Sequence, residues 1–160
     1  MSTTAGSITT AIGEAIQAAL GAGWGLKYSA TDWSGVGRDT STPTVFVRYM
    51  QESEQVAGSM MSTVRPLISI YVAQPHAVDP TTADSHEATL DLMADVRAAV
   101  HGLCVGHSQG TAPIAGLDGP LFYDAATSTP AVASLGGGLG GVESVTIDFQ
   151  LRYIRPAGGR

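Results

Sequence analysis

From Val145 to Tyr153 the chain alternates without a break. Val145, Ile147, Phe149, Leu151 and Tyr153 take turns with Thr146, Asp148, Gln150 and Arg152, the two-residue period of a strand with one buried and one wet face. Such a strand cannot stand alone, because its apolar face needs a covering layer and its backbone needs neighbours. The rest of the chain has to supply both. The spacing predicts a terminal strand over 142–154, stopped by Pro156 and Gly158-Gly159.

Neighbours come from 44–73. Thr44 to Gln51 is rich in β-branched and aromatic residues, and Val64 to Ala73 places Val64, Ile68, Ile70 and Val72 on one face, so a long hairpin is predicted. Pro66 marks an edge or bulge position in its second arm. Glu52 to Met61, which contains Gly58, reads as the hairpin loop. Phe46, Met50, Leu67 and Tyr71 fall on the other face. That face is therefore expected to be covered too, by the first helix or by a neighbouring subunit.

The covering layer comes from two helical patterns. Ser7 to Leu20 carries Ile8, Ile12, Ile16, Ala19 and Leu20 on one side, with Ser7 as the expected cap and Gly21 and Gly23 after the stop, so a helix over 7–21 is expected. Gly13 inside it costs about 1 kcal/mol against Ala. Leu92, Met93, Val96, Ala99, Val100 and Leu103 make the second stripe, opposite Asp91, Asp95 and Arg97. Asp84 with Glu87 has capping-box spacing and Gly102 suits a left-handed stop, predicting a helix over 84–101. Trp24 to Ser29 reads as a short strand and Asp32 to Thr42 as a loop. Cys104 to Gly141 shows little pattern and many turn residues, and is expected to be an irregular arm, with Leu121 to Tyr123 as its one short strand. Without long βαβ alternation, the fold class is α+β: a mainly antiparallel sheet with a long hairpin, packed by two helices, in one domain over 1–160.

Composition narrows the function. Charged residues are 14% of the 160, the net charge is −6, and Lys27 is the only lysine beside seven arginines. No basic cluster exists to displace counterions from nucleic acid or an anionic membrane. Low charge also fits surface hidden against other copies, since interface cores are depleted in charge. The lone Cys104 excludes an intrachain disulfide. No apolar run approaches membrane-spanning length and no secretory leader is visible, so no membrane partner and no usual secretion are expected.

Motifs with chemical potential are few. Gly106-His107-Ser108-Gln109-Gly110 matches GxSxG, which would make Ser108 an esterase nucleophile. That elbow needs a strand entering, a helix leaving and a histidine downstream. Here a helix enters, Pro113 and Gly116 follow, and His76, His86, His101 and His107 all precede Ser108. A turn after a helix is the reading adopted. His76 with Asp79, or Asp84 with His86 and Glu87, are conceivable metal ligands. The latter three read better as a helix N-terminus, and His101 as a cation in the last turn. Cys104 reads as a small buried hydrophobe. Gly136 to Gly141 precedes a strand, not the helix a phosphate cradle requires. Trp24, Tyr28 and Trp33 read as packing aromatics. No catalytic residue, metal site or cofactor is expected.

The element order carries one family resemblance. An N-terminal amphipathic helix, a hairpin over Thr44 to Ala73 containing Arg65-Pro66-Leu67-Ile68-Ser69-Ile70-Tyr71-Val72, a helix from Asp84 to His101, an irregular segment and a terminal strand ending Asp148-Phe149-Gln150-Leu151-Arg152-Tyr153 resemble the tail terminator, or tail completion, proteins of long-tailed bacteriophages. The resemblance implies a structural virion protein that is not an enzyme: a self-associated ring, usually a hexamer, that caps the tail tube protein, stops elongation and receives the head-side connector. DNA would pass through the lumen without specific binding. The place implied is the head–tail junction of the virion, with host cytoplasm during assembly. Another neck or head-completion stopper ring is the nearest alternative, and a small serine esterase using Ser108 the distant one. On this reading Glu52 to Met61 and Ala112 to Gly141 make ring and docking contacts, and deleting Gln55 to Ser59 spares the fold while impairing docking.

Overall fold

A computed structural model describes residues 3–28, 42–58, 60–76, 82–134 and 141–157. They form α1 (Thr4–Leu20), β1 (Gly25–Tyr28), β2 (Thr44–Ala57), β3 (Met61–His76), α2 (Ala83–Ser108), β4 (Phe122–Ser134) and β5 (Gly141–Pro156). The sheet order is β1-β2-β3-β5-β4. Every pairing is antiparallel except β1 with β2. The class is α+β, a five-stranded, mostly antiparallel sheet packed by two helices.

The alternating terminal strand lies near the centre of this sheet as β5, between β3 and β4. Val145, Ile147, Phe149, Leu151 and Tyr153 are all fully buried. Their partners continue the rows across the sheet, with Val45, Val72 and Val145 in one and Val47, Ile70 and Ile147 in the next. Both helices close this face. Ile8, Ile12 and Ile16 of α1 and Leu92, Val96, Val100 and Cys104 of α2 join the same hydrophobic cluster. α1 lies over β1 and β2, while α2 lies over β4 and β5. Side chains of this size each contribute about 1.5–3 kcal/mol when fully buried, so this single layer of contact holds the fold.

The first helix begins earlier than its apolar stripe implies. Thr3, not Ser7, is the cap, and its Oγ1 accepts from the Gly6 amide at 3.1 Å. Thr4 is buried and its hydroxyl donates to the Gly116 carbonyl at 3.4 Å, a tertiary contact that recruits the extra turn. Gly13 also has a reason that the pattern hides. A Cβ there would meet the Leu26 methyl at 2.9 Å and the Tyr28 hydroxyl at 2.8 Å, so its absence lets β1 pack close to the helix.

The second helix overruns its predicted stop. It starts from Thr82, whose hydroxyl accepts from the Ser85 amide at 3.2 Å, so Asp84 is a first-turn acid and not the cap. Gly102 sits inside the helix, which continues to Ser108. The extra turns stay helical because Cys104 reaches the core and leads into a tight exit. His101 is consequently not in the last turn; His107 is.

Two larger corrections concern the sheet. Glu52 to Met61 is not a loop: β2 and β3 stay paired out to Ala57 and Met61, and Gly58, at φ +71°, belongs to the short turn that joins them. Nor is the described part of 104–141 an irregular arm. Its start completes α2, and Phe122–Ser134 is β4, paired with β5 along its length through a register shift between Tyr123 and Ala125. β5 itself runs to Pro156. The short strand expected at Trp24 to Ser29 is present as β1, whereas most of the expected loop at Asp32 to Thr42, with Trp33, lies outside the described residues.

Candidate functional site

The residues singled out for chemistry gather at the exit of α2. Ser108 is the last residue of the helix, and its hydroxyl donates to the Cys104 carbonyl at 2.9 Å, with the Leu121 carbonyl at 3.5 Å. A helix leads into it and a loop leads away, the reverse of a nucleophile elbow. The His107 ring points elsewhere. Its Nε2 lies 2.7 Å from the Gly119 carbonyl and its Nδ1 3.3 Å from the Ala112 carbonyl. The imidazole thus ties the 109–121 loop back to the helix and has no contact with the neighbouring hydroxyl. Gly106 completes the corner, where a Cβ would stand 3.1 Å from that of Ala112.

Cys104 packs beneath this corner at 3% exposure, and burial pushes its thiol up to about 12. A thiol held neutral in apolar surroundings is a poor nucleophile and a poor metal ligand. His101 is exposed and its ring meets Tyr123 edge-on at 5.3 Å between centroids. Asp84, His86 and Glu87 are exposed on the first turns of α2. Among the described residues no group of three or more His, Cys, Asp or Glu is placed to hold a metal. Asp79 and Gly136 to Gly140 lie outside the described residues, as does the His76 side chain.

The second candidate is a surface. Past the row in which Glu54 pairs with Val64 and Val64 with Tyr153, whose Val64 and Tyr153 still belong to the core, β2, β3 and β5 continue as a three-stranded extension. Every residue from Met50 to Ala57 is exposed. At its tip Val56 is 58% and Met60 76% exposed, and Met61 and Ile154 are exposed nearby. Several polar groups around it are paired within the chain. Arg155 lies 3.3 Å from Glu54, whose carboxyl is held below the usual range by the Ser62 hydroxyl and then by Arg155. The Tyr49 hydroxyl donates to Glu52, and burial followed by that hydrogen bond raises it far above the ordinary phenol range. Arg152 grips Asp124 through two contacts, 3.1 and 3.3 Å, and stacks 4.1 Å over the Phe122 ring.

The sheet face away from the helices is mixed. Phe46 is buried there, outside the main cluster, with Tyr71 at 5.9 Å and the Lys27 ammonium 5.9 Å above its ring. The first helix does not cover this face, contrary to one of the two expectations, because α1 packs on the opposite side with α2. Sequence reasoning missed the edge of β4, unpaired among the described residues, and the exposed edge of distal β2. Their one sequence trace is a scarcity of large apolar residues over stretches that are nonetheless strands. Among the described residues no helix is long and apolar enough to cross a membrane. No protein-family model matches the chain, and no curated protein matches it.

Proposed function

We propose that the chain is a structural virion subunit without catalytic activity: a tail terminator that forms a ring on the end of a phage tail tube. The observation that carries this reading is the three-stranded extension, exposed on β2 from Met50 to Ala57 and tipped by Val56 and Met60. A two-faced exposed strand ending in apolar side chains is poorly suited to a free monomer and well suited to assembly. The helix, hairpin, helix and terminal-strand order supports the family resemblance. The net charge of −6 suits a channel along which DNA slides without adhering.

In this role the hairpin extension meets the tube and the ring presents a second surface to the head-side connector. The corner at Ser108 is a structural clasp. Electron microscopy of the particle that contains this chain, with native mass of the purified protein, tests the reading. A closed ring of about six copies at the head–tail junction is expected, although closure depends on an interface angle. A ring elsewhere in the neck would favour a stopper role, and absence from the particle would overturn both. Loss of a saturable activity on an activated ester in Ser108→Ala would instead support the esterase.

A further inference from the structure

We propose that successive copies of this chain join edge to edge, β4 of one copy adding to the free edge of β2 in the next, so that the sheet continues from subunit to subunit. The proposal rests on the ring reading for its closure, and its geometric grounds come from the two edges themselves.

The first edge is β4. Among the described residues it pairs with β5 alone, along 13 residues. Long open edges are usually guarded by lysines, inward charges or short length. From Ala125 to Ser134 this strand carries no charge, and Pro130 is its one guard. Ala125, Thr127, Thr129, Pro130 and Ala131 are exposed. Proline lacks the amide that a ladder uses, so within a paired edge strand its nitrogen faces outward. The neighbouring Ala131 carbonyl agrees, lying 3.4 Å from the Ser144 hydroxyl on β5. By alternation the Ser128 amide and carbonyl also face outward.

The second edge is β2. Among the described residues β1 covers it from Thr44 to Val47 alone, and from Met50 onward its residues are exposed. Direction decides between partners. β4 runs against β5, β5 against β3 and β3 against β2, so β4 and β2 point in opposite senses. A copy generated by rotation about an axis inclined to the strands keeps those senses and staggers the two sheets, so that Ala125 to Ala131, level in their own sheet with Gln51 to Thr44, move past β1 to the β2 edge beyond Met50. It brings its β2 antiparallel to β4, the sturdier ladder. Such a contact uses two different patches and is therefore head-to-tail, the kind that closes rings. Glu54 and Asp124 already have cationic partners in their own chain, and Glu52 accepts from the Tyr49 hydroxyl.

The test uses the full chain and two readouts. Ser128→Pro removes an outward amide that β4 does not use internally; Thr127→Lys with Thr129→Lys adds charge to the same edge without altering the backbone. Both should leave the circular dichroism spectrum unchanged and weaken association at least about 100-fold by sedimentation. For contact identity, Thr127→Cys copies are mixed with copies carrying Gln51→Cys, Ser53→Cys or Gln55→Cys. All four positions share the face away from the helices. At least one mixture should form disulfide-linked pairs about tenfold or more faster than either variant alone, because assembly raises the local concentration. Assembly that survives both edge variants, or Thr127→Cys linking to itself as fast as in any mixture, overturns the proposal. A ring at the head–tail junction that resists the edge variants would sink this contact and leave the functional reading standing. Edge-dependent assembly of a protein found elsewhere would do the reverse.

Discussion

At the scale of single residues, the corner beneath Ser108 decides how motif-like sequence should be weighed. The two carbonyls that His107 meets, Ala112 and Gly119, belong to the loop that returns the chain from α2 to β4. His107→Ala is expected to destabilise the fold by about 1–2 kcal/mol, with faster amide exchange confined to 109–121, because losing the ring's N–H leaves a partly buried carbonyl unserved. Equal exchange in the variant and the parent would show that the clasp is idle. Cys104 gives a pH prediction with a definite sign. The unfolded thiol ionises at about pH 8.5, while burial keeps the folded one neutral up to about 12. The folded state therefore holds a proton that the unfolded state releases, and stability falls as pH rises between these values by about 1.4 kcal/mol per unit. Below about pH 8 the contribution is fully present. Chemical denaturation from about pH 8 to about pH 11 should show a shallower decline in Cys104→Ala than in the parent, and parallel slopes would count against it.

At the scale of elements, legibility follows burial. β5 and the Val64 to Val72 part of β3 are readable because one face of each is sealed by helices, so alternation is strict. β4 is not, since an edge strand with Ala, Thr and Ser on both faces has no contrast to display. Distal β2 hides for a related reason: Gln51 to Gln55 is polar on both sides, and its partners are backbone groups that sequence does not show. In the candidate site, the motif at Ser108 is visible and so are the neighbours that argue against chemistry there, whereas the two open edges leave no motif at all. The helix α2 is legible in its stripe and not at its end. Gly102 looks like a stop, yet it is a mid-helix residue, and a methyl added there would meet nothing within 4 Å. Gly102→Ala should therefore stabilise the protein by about 0.4–1 kcal/mol, since no clash offsets the gain in helix propensity. A lower melting temperature would contradict that. Gly106 differs, because its neighbours at 3.1 and 3.3 Å leave little room, and the same change there should not help.

At the scale of the whole molecule, the protein divides into a sealed half and an open half. The core on the helix-covered face of the sheet runs from the Val45 row to the Val64–Tyr153 row, and the extension, with its Arg155–Glu54 ion pair, stands beyond it. The open half contributes little to the core past Val64, so it can be shortened without unfolding the rest. The deletion of Gln55 to Ser59 expected from sequence would cut one arm only and leave Met61 to Thr63 without their β2 partners, because Gln55 pairs with Thr63 and Ala57 with Met61. A balanced cut replaces 55–63 by Asn-Gly, a two-residue turn suited to joining Glu54 to its partner Val64. It removes the exposed Val56, Met60 and Met61 together. Such a variant should melt within a few degrees of the parent, which corresponds to about 1 kcal/mol for a domain of this size. If the extension docks on the tail tube, particles assembled with the shortened chain should carry tails of uncontrolled length and lose infectivity, while the same chain still self-associates through β4 and the remaining edge of β2. Tails of normal length and full infectivity would remove the hairpin from the docking surface. A large fall in melting temperature would instead show that the extension is part of the core, against the exposure of Met50 to Ala57.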